Sequence, residues 1–213
     1  MPEITYGRWS PTEVMERVLD GTWVIADDAD ATDAALMMVP TSIAYTGTSA
    51  TVTASGSVEF TACSSLSLNG VFSADYDNYM IAVAHTLSAG TVNYKGRFRA
   101  SGTDNSTASS YTSQELNAYG TTVSGGARFV SDSGYFIAST SAQNSGSSLF
   151  LFGPYLAQPT AWRQVNVTSY SSAAIFDLVG THNQSVSYDG FSFVPTSTYS
   201  LTGTLSVYGI RGA

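Results

Sequence analysis

Alternation with a period of two, broken at short intervals by turn residues, constrains this chain more than any other feature. In Val92-Asn93-Tyr94-Lys95-Gly96-Arg97-Phe98-Arg99, the residues Val92, Tyr94, Gly96 and Phe98 fall on one side and Asn93, Lys95, Arg97 and Arg99 on the other. That is the pattern of a half-buried strand, because successive side chains of extended backbone point to opposite faces. Further strand-like runs cover 50–55, 57–63, 66–72, 78–87, 111–118, 127–131, 134–140, 147–153, 163–170, 173–180, 185–193 and 203–210. Ser55-Gly56, Asn69-Gly70, Gly102, Gly125-Gly126, Asp189-Gly190 and Thr202-Gly203 stand between them, and such residues supply the backbone angles of tight turns. Many short strands with almost no helical period predict an all-β fold, an antiparallel β-sandwich of jelly-roll type. Asn69-Gly70 reads either as a hairpin turn or as part of a strand that a bulge re-aims.

Composition agrees and narrows function. Charged residues are 11% of the 213, against about 25% in an ordinary soluble domain. The hydrophobic fraction of 43% is enough for a packed core, so wholesale disorder is not expected. A net charge of −8 with a single lysine, Lys95, argues against nucleic acid as a partner, since phosphate binding draws on Lys and Arg. The lone Cys63 leaves no intramolecular disulfide or Cys-cluster metal site and is expected as a buried free thiol. The uncharged stretch Ser133–Trp162 is interrupted throughout by Ser, Gly, Gln, Asn and Pro, so no membrane insertion is expected. The first residues show neither the basic nor the apolar region of a secretory signal.

Charge divides the chain. Residues 1–40 carry eight acids and two bases, residues 41–213 eight acids and six bases. We therefore expect an N-terminal segment, 1–45, ahead of a β-sandwich body, 46–213. The segment opens with a capping box, Ser10-Pro11-Thr12-Glu13, and Val14, Met15, Val18 and Leu19 follow at helical spacing before Gly21. A helix is predicted near 11–20. Ten residues do not hold a helix alone in water, so its apolar stripe must bury against something. Trp9 and Trp23 flank it, and Trp9, Val14, Val18 and Trp23 are the candidate docking residues. The acids Asp27, Asp28, Asp30 and Asp33 lack the Gly and terminal Glu of an EF-hand loop. They read as a solvated acidic anchor segment.

Signatures of chemistry are sparse. His85 lies in the apolar run Met80-Ile81-Ala82-Val83-Ala84-His85 and reads as a core histidine, while His182 reads as a turn residue. Asp75 and Asp77 form the best carboxylate pair, but two residues apart in a turn they suit backbone hydrogen bonds better than glycosidase chemistry. No catalytic residue, metal ligand set or cofactor site is assigned, and a non-enzymatic protein is expected. Tyr111, Tyr119, Tyr155 and Trp162 lie among Ser, Thr, Asn and Gln. Flat rings beside hydroxyl and amide groups suit a saccharide; the same residues also suit a subunit interface.

Three stretches of the body resemble a domain of bacteriophage virion proteins. They are Ser65-Leu66-Ser67-Leu68-Asn69-Gly70-Val71-Phe72 with Tyr76-Asp77-Asn78-Tyr79, then Arg97-Phe98-Arg99-Ala100-Ser101-Gly102-Thr103-Asp104, and then Asp189-Gly190-Phe191-Ser192-Phe193-Val194-Pro195 with Thr202-Gly203-Thr204-Leu205-Ser206-Val207-Tyr208-Gly209. The resemblance spans residues 57–211. It implies a β-sandwich, commonly a homotrimer, on minor tail proteins, tail fibres or head fibres, anchored to the particle through another virion protein by an N-terminal segment. Host surface polysaccharide is then the expected external partner. A capsid decoration or head fibre protein on the capsid exterior is the alternative. The resemblance carries no catalytic residues.

Overall fold

Strand propensity and alternation produce sixteen strands in the computed structural model, which describes residues 35–88, 91–119, 121–132, 134–141, 145–168, 174–195 and 200–210. In chain order they are β1 (Ala35–Met37), β2 (Ser42–Thr46), β3 (Ser49–Val52), β4 (Val58–Cys63), β5 (Ser65–Asn69), β6 (Asn78–Leu87), β7 (Thr91–Ala100) and β8 (Thr103–Asp104). The second half adds β9 (Tyr111–Tyr119), β10 (Thr122–Asp132), β11 (Tyr135–Ser141), β12 (Ser145–Phe152), β13 (Thr160–Thr168), β14 (Ala174–His182), β15 (Gly190–Pro195) and β16 (Leu201–Ile210). All their pairings are antiparallel.

The strands form two unequal sheets. The larger runs β10-β9-β14-β13-β12-β6-β16-β4-β3, with β1 also paired to β16; the smaller runs β11-β7-β15-β5-β2, with β8 beside β7. Each strand buries one face. On β6, Tyr79, Ile81, Val83, His85 and Leu87 are buried while the residues between them are not. From the large sheet, Ile81, Leu149, Leu151, Trp162 and Val207 meet Leu66, Leu68, Phe98, Phe191 and Phe193 of the small sheet in one core. Full burial of such a side chain contributes about 1.5–3 kcal/mol relative to exposure. The expected all-β antiparallel sandwich is what the described residues form.

The chain divides into Met1–Ala34 and Ala35–Ala213. The expected boundary at 45/46 therefore falls inside the sandwich: β1 pairs with β16 through Ala35↔Ile210, and β2 pairs with β5 through Ile43↔Leu68. Strands this short leave too few alternations to register in a sequence. The predicted helix at 11–20, with Trp9, Val14, Val18 and Trp23, lies outside the described residues. Asn69-Gly70 makes neither a hairpin turn nor a bulge. β5 stops at Asn69, Gly70 takes φ +69° with the Thr41 side chain against it, and the chain leaves the small sheet for β6 in the large one. Only glycine enters that left-handed region without strain.

Candidate functional site

At one end of the sandwich, four connections gather over a floor of aromatic rings. They are the segments 70–77, 105–110, 153–159 and 183–189. Gly153 N–H donates to Asp77 O (2.9 Å), Tyr188 N–H to Pro154 O (3.0 Å) and Asn183 N–H to Ser110 O (3.0 Å). Side chains add further ties: Ser187 Oγ donates to Tyr155 O (2.5 Å) and Asn183 Nδ2 to Ser109 O (3.2 Å). Ser109 is held at φ +66° there, a conformation that costs a non-glycine residue energy and persists only where neighbours enforce it.

The floor consists of Phe98 from β7, Tyr111 from β9, Trp162 from β13, His182 from β14 and Tyr188. Ring centroids lie 4.2 Å apart for Tyr111–His182, 5.1 Å for Phe98–Tyr188, 5.4 Å for Phe98–His182 and 6.3 Å for Tyr111–Trp162. Trp162 lies across Gly180 of the neighbouring strand, where a Cβ would stand 2.1 Å from Cζ2. A glycine inside a strand often marks such a close approach.

Hydrogen bonds fix the protonation state of the floor. His182 Nδ1 faces Ser110 O at 3.2 Å, and a carbonyl only accepts, so Nδ1 carries the proton. Nε2 then accepts from Tyr188 Oη (2.6 Å), which itself accepts from Asn105 Nδ2 (2.7 Å). Tyr111 Oη accepts from Phe98 N–H (3.2 Å) and donates to Asn105 O (2.9 Å). Burial holds His182 down at about 4, outweighing the Ser110 carbonyl, which acts the other way. Burial also raises the Tyr111 and Tyr188 phenols above their ordinary value. His182 is thus a neutral, fully buried structural histidine rather than the turn residue expected.

The four predicted ligand residues part company. Tyr111 and Trp162 come together, but at 1% and 2% exposure their rings face protein and not a saccharide. They support the loop end from beneath. Tyr155 is half-buried within that end, packed on the core. Tyr119 closes the opposite end of β9, about 27 Å along the strand from Tyr111 at 3.4 Å per residue. What the sequence did not reveal is the surface around Tyr155. Leu156 and Val186 are exposed beside the polar Asn183, Gln184, Ser187 and Gln158; Val186 and Ser187 fall in the run 185–193 expected as strand, which hid their place in a loop.

Alternation on β7 puts Lys95, Arg97 and Arg99 on one side, as a solvated cationic face would have them, but these cations are not left to water. Arg99 is buried at 8% exposure and spends its guanidinium inward. Nε donates to Asn69 Oδ1 (2.9 Å), Nη1 to Ser67 Oγ (3.1 Å), Ser192 Oγ (2.8 Å) and the Asp104 carboxylate, and Nη2 to Gly102 O. Ser192 Oγ also donates to Asp104 Oδ1 (2.6 Å). Lys95 and Arg97 on the same face are half-buried and also engaged. The carboxylates Asp75 and Asp77 are exposed in their turn, where Ser73 Oγ donates to Asp75 Oδ2 (3.1 Å) and accepts from Asp75 N–H (3.3 Å). His85 and Cys63 are buried as expected. Among the described residues no group of three His, Cys, Asp or Glu side chains is placed to hold a metal ion. Compared with protein-family models, curated proteins and solved structures, the chain matches none.

Proposed function

We propose that this chain is a non-enzymatic structural protein of a bacteriophage virion, placed as a minor tail protein or tail fibre. In this reading residues 1–34, which precede the sandwich in sequence, dock to another virion protein through Trp9, Val14, Val18 and Trp23. The sandwich, as a homotrimer, offers its loop end to host surface polysaccharide. The observation that supports it is the convergence on Arg99. The three stretches that resemble phage virion domains lie far apart in sequence, yet Ser67 and Asn69 of the first, Arg99 and Asp104 of the second and Ser192 of the third share one guanidinium. The three stretches supply the adjacent strands β5, β7 and β15 of the small sheet, and so form one packed node.

The loop end suits a neutral saccharide in its chemistry. Amide and hydroxyl groups of Asn183, Gln184 and Ser187 stand beside the exposed apolar Leu156 and Val186, tied to a rigid floor. Loops held by a rigid scaffold are the usual carriers of binding residues, and several weak sites on one particle gain from avidity. The test is to purify phage particles, detect the chain in them and locate it by electron cryo-microscopy. Density at the tail with the loop end outward is the expected result. A chain absent from purified particles overturns the proposal, and density over the capsid lattice replaces the tail placement with capsid decoration. Particles carrying Tyr155→Ala and Gln184→Ala are expected to adsorb more slowly at unchanged copy number; unchanged adsorption would remove the loop end from the reading.

A further inference from the structure

The two outer faces of the sandwich, made by one chain in one solvent, differ in kind. On the small sheet the outward positions include Ser42, Ala44 and Thr46 of β2, Ser65, Ser67 and Asn69 of β5, Val194 of β15, and Lys95 and Arg97 of β7, while Ser192 is buried against Arg99, so the row is mostly polar. Such a row is suited to water. On the large sheet the outward positions include Val123, Leu116, Ile175, Val179, Phe150 and Phe152, each between 39 and 69% exposed. These six span β10, β9, β14 and β12, and the half-buried Met80, Ala82, Tyr208 and Ile210 of β6 and β16 continue the same face. Its central ion pair is already closed within the protomer, Arg163 Nε–Asp177 Oδ1 at 3.2 Å and Nη2–Oδ2 at 2.7 Å. Covering it leaves neither charge without its counter-charge.

The face also carries a recess and projections that match it in character. A depression of about 380 Å³ opens over Ala161, Val179 and Gly180, with Gln114 and Arg128 at the side. Phe150 and Phe152 project from β12, two strands from β14 and so about 10 Å away at ordinary strand spacing. Seven strands from β10 to β16 and the length from Ile175 to Thr181 make a flat footprint of roughly 600 Å², using about 4.8 Å between strands and 3.4 Å per residue. Stable interfaces cover about 800 Å² per partner in accessible surface, which exceeds flat footprint on a surface of side chains. Within this footprint six exposed apolar side chains flank the Arg163–Asp177 pair, and exposed apolar clusters on a protein surface mark interaction sites.

We propose that the outer face of the large sheet is where a second copy of this chain packs, with Phe150 and Phe152 of each copy entering the depression of a neighbour. A face bearing both knob and recess is self-complementary. Reciprocal pairing closes two copies, and cyclic pairing closes a ring such as three. The proposal rests on the self-association in the function proposed above and assigns it a face.

The experiment is sedimentation velocity on the full chain at 1–100 µM (about the range in which an interface of this size associates), for the natural sequence and for Val179→Lys, Phe150→Lys and Ala44→Lys. Circular dichroism and thermal melting check each fold. The natural chain and Ala44→Lys are expected to sediment as the same oligomer, while Val179→Lys and Phe150→Lys, folded, dissociate with a constant raised about 30-fold or more, as for a central interface residue. A natural chain that stays monomeric overturns both this assignment and the self-association itself. An oligomer that survives Val179→Lys and Phe150→Lys, or that Ala44→Lys disperses, overturns the face alone.

Discussion

His85 offers the sharpest test of how this core is held together. It sits on the buried face of β6, paired with Gly203 of β16 and Ser145 of β12, with the Tyr94 ring 6.3 Å away. Neither ring nitrogen has a hydrogen-bond partner, and burial pulls it down to about 4. Above pH 6.5 neither the folded nor the unfolded chain protonates this ring, and its titration contributes nothing. As the pH falls through 6.5 the unfolded chain takes up the proton and the folded chain does not, so stability declines until the folded value near 4 is reached. The loss is about 2 kcal/mol at pH 5 and about 3.4 kcal/mol once both states are protonated. His85→Leu removes that liability, and because the ring makes no hydrogen bond, nothing polar is orphaned by the change. Urea unfolding at pH 7 and pH 5 reads the outcome. At pH 7 the variant is expected within about 1 kcal/mol of the natural chain, the usual range for a volume-conserving core swap. At pH 5 it is expected to be more stable than the natural chain by about 2 kcal/mol. Equal losses between pH 7 and pH 5 in the two proteins would refute the reasoning.

Other consequences follow from the same packing. Arg99→Ala leaves the half-buried Asp104 carboxylate without its guanidinium and removes the donor to Ser67, Asn69 and Ser192, and is expected to cost about 1–3 kcal/mol; an unchanged urea midpoint would show the node to be dispensable. Gly180→Ala drives a methyl into Trp162 and Thr112 O, with a cost of about 1–3 kcal/mol and a shift in tryptophan emission expected together. Cys63, buried, donating to Ser49 O (3.3 Å) and with its thiol raised by burial, is expected to resist a maleimide in the native state and to react at once in urea. Fast labelling of folded protein would contradict its placement.

Much of the architecture was legible in the sequence, and the parts that were not share a cause. The run at 78–87 is β6 to the residue, and the alternation of Tyr94, Gly96 and Phe98 puts all three in the interior. Long half-buried strands repeat their pattern often enough to be read. β1, β2 and β8 do not, and the stretch 185–189, expected as strand, is irregular because Tyr188 turns inward to His182 and Asn105. Which residue meets which across the sandwich is a property of register and topology. Arg99 looks like a solvated cation until Ser67 and Ser192 are seen beside it. Tyr111 and Trp162 look like ligand platforms until the strands around them close. Aromatic residues near polar ones describe a buried network as well as a binding surface, and local sequence does not distinguish the two.

The position of β16 bears on how the chain is made. It is the last strand described, yet it lies inside the large sheet between β6 on one side and β4 and β1 on the other. Until residues 201–210 leave the ribosome, β6 has one bare edge and Val58, Ile81 and Val83 lack the partners that Leu205 and Val207 supply. Productive closure of the core must therefore wait until residues 201–210 have been made, and pairings between distant parts of a chain are slow to form. A nascent chain in that interval exposes an open, apolar strand edge of the kind that recruits other chains. Yield on expression should accordingly fall with slower synthesis through these residues or higher local concentration, whatever the stability of the finished protein.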